Sequence, residues 1–455
     1  MKKRLLALVL AGAMALSLVA CGGGDTTTST PPAEDSKAPA VQSEAPAEAT
    51  EITLWTYPIG KWGDQATVTG LTDAFTAETG IKVTVEYLDY TAGDDKVNTA
   101  ISAGEAPDLV MEGPERLAAN WGINGHMVDL SDMLDDEDKA ELNAAALSSC
   151  YGADGKLYEY PLVMTSHCMA INKTVFEAAG AMQYIDETTR QWKSTEDFLK
   201  AVQAVYDHTG STVGAVFCAG QGGDQGTRAL YNNMYGGTFT NADYTAYTWD
   251  SPENVKALQA LYDAEGISYD ASIVGGDEIA LFYQGVLNMA FCWNIGQQLN
   301  PNSAGTGEGK TMTGDEIMYL AFPAEAGKDP VLCGGIWGFG IFDNGDQARI
   351  DAAKEFIKYF CDSAATADAV KAANYFAARS AAEGTDLSTV WADNATMSEY
   401  NDTMVPYMGA YYPALIGGWV QARTSAWTML QAIGAGEDIA ATTAKYAAEA
   451  NAAIG

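Results

Sequence analysis

From residue 51 onward, apolar positions fall into short runs whose spacing changes from one segment to the next. Residues 52–57 (ITLWTY) are β-branched and aromatic, which predicts a strand. Val68, Leu71 and Phe75 recur at helical spacing, and Gly80 closes that helix. Ile81, Val83, Val85 and Tyr87 alternate as a second strand; Val97 and Ile101 mark a second helix, followed by Gly104. Residues 108–112 (DLVME) make a third strand. This order predicts a parallel α/β sheet with right-handed crossovers. Ligands of such sheets bind beyond the carboxyl ends of the strands, which places residues 55–62 and 112–115 near a site.

Residues 155–176 (GKLYEYPLVMTSHCMAINKTVF) hold two apolar runs, 157–163 and 169–171, with polar residues between them. Pro161 points to a sheet edge or a strand end. A strand leaving one sheet for a second layer predicts a domain crossover, with Thr165, Ser166 and His167 at the seam. A short helix then starts near Asn172 and stops at Gly180. Later helices are expected over 192–205, after Ser251-Pro252 with Val255, Leu258, Leu261 and Tyr262 inward, along Ile350, Ala353, Ile357 and Phe360, and along Ile439, Thr443, Tyr446 and Ala450.

The first 50 residues follow other rules. Met-Lys-Lys-Arg, an apolar run and Leu18-Val19-Ala20-Cys21 predict a signal peptide over 1–20. Its cleavage site resembles a bacterial lipobox, which implies lipidation of Cys21. Residues 22–50 are mostly Thr, Ser, Pro, Ala, Glu and Asp; they predict a disordered tether spanning about 30 Å. No later stretch has about 18 consecutive apolar residues, so no transmembrane helix is expected.

The chain has 455 residues, room for two or three domains, and a net charge of −35. Such acidity argues against nucleic acid, anionic lipid surfaces and strongly anionic ligands. Cys150, Cys168, Cys218, Cys292, Cys333 and Cys361 form no C-x-x-C pair and mostly lie in apolar runs, so they are read as buried thiols, with one disulfide among them as the alternative. Free thiols in an exported protein suit an anaerobic setting. His126, His167 and His208 have no metal-ligand spacing, and Asp135 to Asp138 lack the pattern of a calcium loop; that run reads as the solvated start of a helix. Gly220-Gln221-Gly222-Gly223 lacks the Lys-Ser/Thr of a phosphate loop, and no Gly-x-Ser-x-Gly occurs. No cofactor and no metal are expected.

Several motifs resemble the solute-binding proteins of ABC sugar importers, the maltose-binding-protein-like family. They are Gly155-Lys156-Leu157-Tyr158 with Pro161, then Ile171-Asn172-Lys173 with Phe176, Ala179 and Gly180. Gly104, Pro107 and Asp108 match a further element, as do Phe282 to Trp293 and Gly334 to Ile341. Asn288, Tyr375 and Ala378 depart from the pattern. The resemblance spans about 51–455 and implies a two-lobed α/β fold with three hinge crossings and a ligand cleft between lobes. Expected boundaries are 51–164 with 294–343 for the N-terminal lobe, and 165–293 with 344–455 for the C-terminal lobe.

Ten tryptophans and 23 tyrosines suit a sugar, whose C–H faces need aromatic platforms and whose hydroxyls need polar partners. Candidate contacts are Trp55, Tyr57 and Trp62 after the first strand, Glu112 after the third, and Thr165 and His167 at the seam. Trp293 and Trp337 at crossings, Trp419 beside Gly417-Gly418, and Arg379 in the turn resembling the family's binding loop complete the set. Core packing competes for each Trp; Trp121, Trp192 and Trp391 read as structural, and Trp249 and Trp427 are left open. The expected protein is a monomeric, non-enzymatic receptor, lipid-anchored at the outer face of the bacterial cytoplasmic membrane. It would bind a carbohydrate, an oligosaccharide by preference, and deliver it to an ABC importer permease. The alternatives are a secreted glycan hydrolase, which needs two carboxylates across a cleft, or the same fold binding a polyamine or other cation.

Overall fold

A computed structural model describes residues 51–300, 306–409, 413 and 415–454. Cys21, the signal peptide and the tether lie outside the described residues.

The first three strands form as the alternation requires. Strand β1 (Glu51–Thr56) lies between β2 (Lys82–Tyr87) and β3 (Leu109–Glu112), parallel to both. The helix Gln65–Thr79 joins β1 to β2 and buries Val68 and Phe75; Gly80 ends it in the left-handed conformation. The helix Gly93–Ala103 joins β2 to β3 and is closed in the same way by Gly104.

The long strand β4 (Tyr160–Asn172) merges the two apolar runs of its segment into one 13-residue element. After it come β5 (Gly214–Phe217), β6 (Ile267–Asp270), β7 (Met289–Trp293), β8 (Ile317–Leu320), β9 (Cys333–Ile341) and β10 (Phe376–Ala377). Residues 160–167 of β4 pair antiparallel with β9, and β9 pairs antiparallel with β3. From Cys168 onward β4 changes partners, to β7 on one side and β8 on the other. The change falls at Thr165-Ser166-His167, opposite Gly335, Gly334 and Cys333. Pro161 sits inside the strand, where the ladder with β9 shifts register between Trp337 and Gly338, so its missing N–H is accommodated at an irregularity. The second region continues with β5 and β6, a parallel pair; the N–H groups of Asn288 and Met289 tie β7 to Val213, just before β5.

Expectations along the helices change as well. Tyr262 is exposed rather than inward, because the helix Pro252–Asp263 buries Asn254, Ala257, Leu258 and Leu261. The run at 135–138 does start a helix, with Asp135 as its cap, but Asp138 is buried and not solvated. Trp192 precedes its helix, which runs Thr195–Thr209 from a Ser194 cap.

Segments on either side of β9 pack differently from the expected lobe assignment. Within 294–343, β8 pairs with the second half of β4. Within 344–455, the helix Gln347–Cys361 turns Ile350, Ala353, Ile357 and Phe360 inward, as its periodicity requires. It sets Phe356 against Phe75 and Phe360 against Trp62, both from the segment that opens with β1. The helix Trp419–Gly434 instead packs beside β6, where Gly434 meets Tyr269. The six cysteines from 150 to 361 are free; Cys292 is partly exposed and the other five are buried.

Candidate ligand cleft

A cleft of about 680 Å³ opens where β4 changes partners. Its walls follow from the topology. One wall is made by loops beyond the carboxyl ends of β1, β2 and β3: Pro58 and Ile59, then Tyr90 and Thr91, then Glu112, Glu115 and Arg116. The other wall is made by loops beyond β5, β6 and β7: Gln221 to Gly223, then Val274 and Gly276, then Cys292, Asn294 and Gln297. His167 of β4 and residues 333–337 of β9 form the floor, with Tyr375, Trp419 and Arg423 completing the lining. Both sets of parallel strands therefore direct their carboxyl ends at one space.

Trp337 and Tyr375 stack at the floor, ring centroids 4.7 Å apart and 11° from parallel. His167 meets the Trp337 edge at 6.2 Å. Gly335 permits this: a Cβ there would lie 2.5 Å from the Trp337 ring and 2.9 Å from His167 Nε2. Burial, reinforced by Arg228, pushes the His167 imidazole down to about 4, so it is neutral at pH 7 and presents one donor and one acceptor. Burial pushes the Tyr375 hydroxyl up to about 12. Gly223, in the left-handed conformation, brings the second wall onto Cys292, whose Sγ would lie 2.6 Å from a Cβ.

The charged groups are held in two sets. Arg116 donates from Nε to Asp94 at 2.7 Å and from one terminal nitrogen to Glu112 at 2.8 Å and Glu115 at 3.3 Å. Its guanidinium lies near the rings of Tyr57 and Tyr90, at 5.3 and 5.5 Å. Burial pushes the Glu112 carboxyl up to about 8, against the opposing pull of Arg116. On the second wall Asp224 accepts from both Arg228 and Arg423, and Arg228 lies 4.9 Å from the Trp419 ring.

Of the residues nominated from sequence, Glu112, His167, Trp337 and Trp419 line the cleft. The others lie elsewhere. Trp62 is fully buried, donates to Ala369 O at 3.1 Å and packs edge-on against Phe339 and Phe360. Trp293 is fully buried, donates to Gln298 and packs against Phe282. Trp55 is within β1, half-buried, with the Lys96 ammonium 5.1 Å from its ring. Tyr57 is buried behind Arg116 and donates to Asp94 at 2.6 Å, so it positions the wall without lining it. Thr165 is buried in the strand. Arg379 is sealed among Asp138, Glu141 and Asp362, away from the cleft.

Sequence reasoning did not reach Arg116, Tyr90, Arg228, Arg423 or Asn294. Arg116 stands one residue past the nominated stretch 112–115, and its i,i+4 relation to Glu112 was the available signal. Tyr375 was noted only as a departure from the family pattern. Among the described residues, no cluster of three His, Cys, Asp or Glu side chains is arranged to hold a metal ion. No described helix is long and apolar enough to cross a membrane.

Comparison with solved structures returns the same architecture. An ABC transporter solute-binding protein from Thermotoga lettingae TMO, bound with α-D-tagatose, is 20% identical with a TM-score of 0.69, covering 90% of this chain and 100% of its own. One from Agrobacterium radiobacter K84, in complex with ribitol, is 21% identical with a TM-score of 0.67, covering 90% and 100%. An ABC substrate-binding protein from Listeria monocytogenes, in complex with cycloalternan, is 18% identical with a TM-score of 0.67, covering 89% and 99%. No curated protein sequence matches the chain significantly. The profile of bacterial extracellular solute-binding proteins matches residues 60–367, and with the two-lobed α/β fold this places the chain in that family.

Proposed function

We propose that the protein is a non-enzymatic receptor that captures a carbohydrate in the cleft and delivers it to an ABC importer permease. The observation that carries this reading is the lining itself. Stacked Trp337 and Tyr375 offer an aromatic platform, and neutral His167 with Gln221, Asn294 and Gln297 offers uncharged hydrogen-bonding groups around it. A sugar needs both, since each buried hydroxyl must find a partner. The sugars and sugar alcohol held by the structural neighbours support it. Residues 51–167 and 333–378 would form one lobe and 168–320 with 395–451 the other, closing about the crossings at β4, β9 and β10. A monomer tethered through lipidated Cys21 would work at the outer face of the membrane.

The hydrolase reading loses ground because the lining acids, Glu112 and Glu115, lie on one wall and share one guanidinium. Calorimetric titration of the purified chain with mono- and oligosaccharides, together with a reducing-sugar assay, tests the proposal. Saturable binding without turnover is expected; release of reducing sugar would replace the receptor with a hydrolase.

A further inference from the structure

The first wall carries more negative charge than its cation neutralises. Asp94, Glu112 and Glu115 all pair with the one guanidinium of Arg116. Glu112 is 2% exposed and lines the cleft, and its Oε2 has no hydrogen-bond partner. Glu159 is fully buried nearby with both carboxyl oxygens unpartnered, and burial together with Glu112 disfavours its ionised form. A buried carboxylate oxygen without a donor is costly, so Glu112 holds a proton until something replaces it.

The second wall differs in sign. Among the described lining residues the acids are Glu112 and Glu115 on the first wall, whereas Arg228 and Arg423 stand on the second, gathered about Asp224. The cleft is polarised across its width.

We propose that the ligand is an amino sugar whose ammonium is received by Glu112 and Glu115. This deepens the sugar-receptor reading and rests on it. An ammonium is compact, donates up to three hydrogen bonds and favours the ionised form of Glu112; a hydroxyl satisfies Glu112 Oε2 but leaves the excess negative charge of Asp94 and Glu115 over Arg116 uncompensated. Tyr90, 43% exposed at the same wall, adds a ring face for the cation. A polyamine long enough to span the cleft would bring a second ammonium against Arg228 and Arg423, so one amine on a hydroxylated ring fits better than several on a chain.

The test is calorimetry of the full chain with D-glucosamine and its β-1,4-linked dimer, N-acetyl-D-glucosamine, D-glucose and spermidine. The free amines should bind at least tenfold more tightly than N-acetyl-D-glucosamine and D-glucose. Glu112→Gln should remove that preference and retain weak sugar binding; Glu115→Gln, at a more exposed position, should reduce it and guards against misfolding of the first variant. Equal or tighter binding of the neutral sugars overturns the inference and leaves the receptor reading standing. Tighter binding of spermidine overturns both in favour of a polyamine receptor. Failure of the amino sugars to bind overturns the inference, and failure of the wider carbohydrate panel as well overturns the sugar reading.

Discussion

Arg116 and Arg379 each sit among three carboxylates, yet only one of the two clusters faces open space. Arg379 bonds Asp138, Glu141 and Asp362, with Cys361 O and Tyr160 as further acceptors, and is 5% exposed. It locks the helix Asp136–Glu141 to the end of the helix Gln347–Cys361. Arg116 bonds Asp94, Glu112 and Glu115 and is also buried, but Glu112, Glu115 and Arg116 itself line the cleft. The same residue types in the same ratio thus serve stability in one place and recognition in the other. What separates them is whether a neighbouring helix closes over the charges.

Replacing each arginine sharpens that contrast. Arg379→Met should give the largest effect, a loss of roughly 3–5 kcal/mol in unfolding free energy from stranding buried carboxylates, read by chemical denaturation. Sugar affinity of the folded fraction should be unchanged. Arg116→Met should weaken sugar binding about 100-fold, roughly 2.8 kcal/mol, in calorimetry with the tightest-binding sugar.

Protonation offers a second handle. Glu112 and Glu278 are pushed up to about 8 by burial, and Glu159 is raised well above its usual range for the same reason. Their folded forms hold protons that the unfolded chain, with carboxyls near 4.5, has released. Stability from these groups is therefore present below pH 4.5 and falls as pH rises towards 8, by up to about 1.4 kcal/mol per unit for each group. Denaturation at pH 5.5 and 7.5 should show the fall, and Glu159→Gln should flatten it. Trp337→Ala should cost about tenfold in affinity, roughly 1.4 kcal/mol, and reduce the ligand-induced change in tryptophan fluorescence. Trp55→Ala should alter affinity by less than about twofold, since Trp55 lies outside the lining.

The strands and helices of the first sheet were legible because their periodicity is local and clean, from Ile52 to Glu112. The crossover was legible because polar Thr165-Ser166-His167 interrupts two apolar runs. The side-chain assignments were less so. Trp62 follows a strand and Trp293 ends one, as cleft residues would, but their rings turn into cores, that of Trp62 with Phe360 from far along the chain and that of Trp293 with Phe282 from the preceding helix. Arg379 and Arg116 were indistinguishable locally: each has acids nearby in space that are not all nearby in sequence. The lobe division was obscured for the same reason, because β8 pairs with β4 across more than 140 residues.

Hydrogen–deuterium exchange of the full chain, with and without the tightest-binding sugar of the panel, tests the placement of the site most directly. Protection should rise in peptides covering 112–116, 221–228 and 333–337, with 136–141 and 376–380 unchanged. Protection centred on the Arg379 cluster, or none along the cleft, would contradict the account.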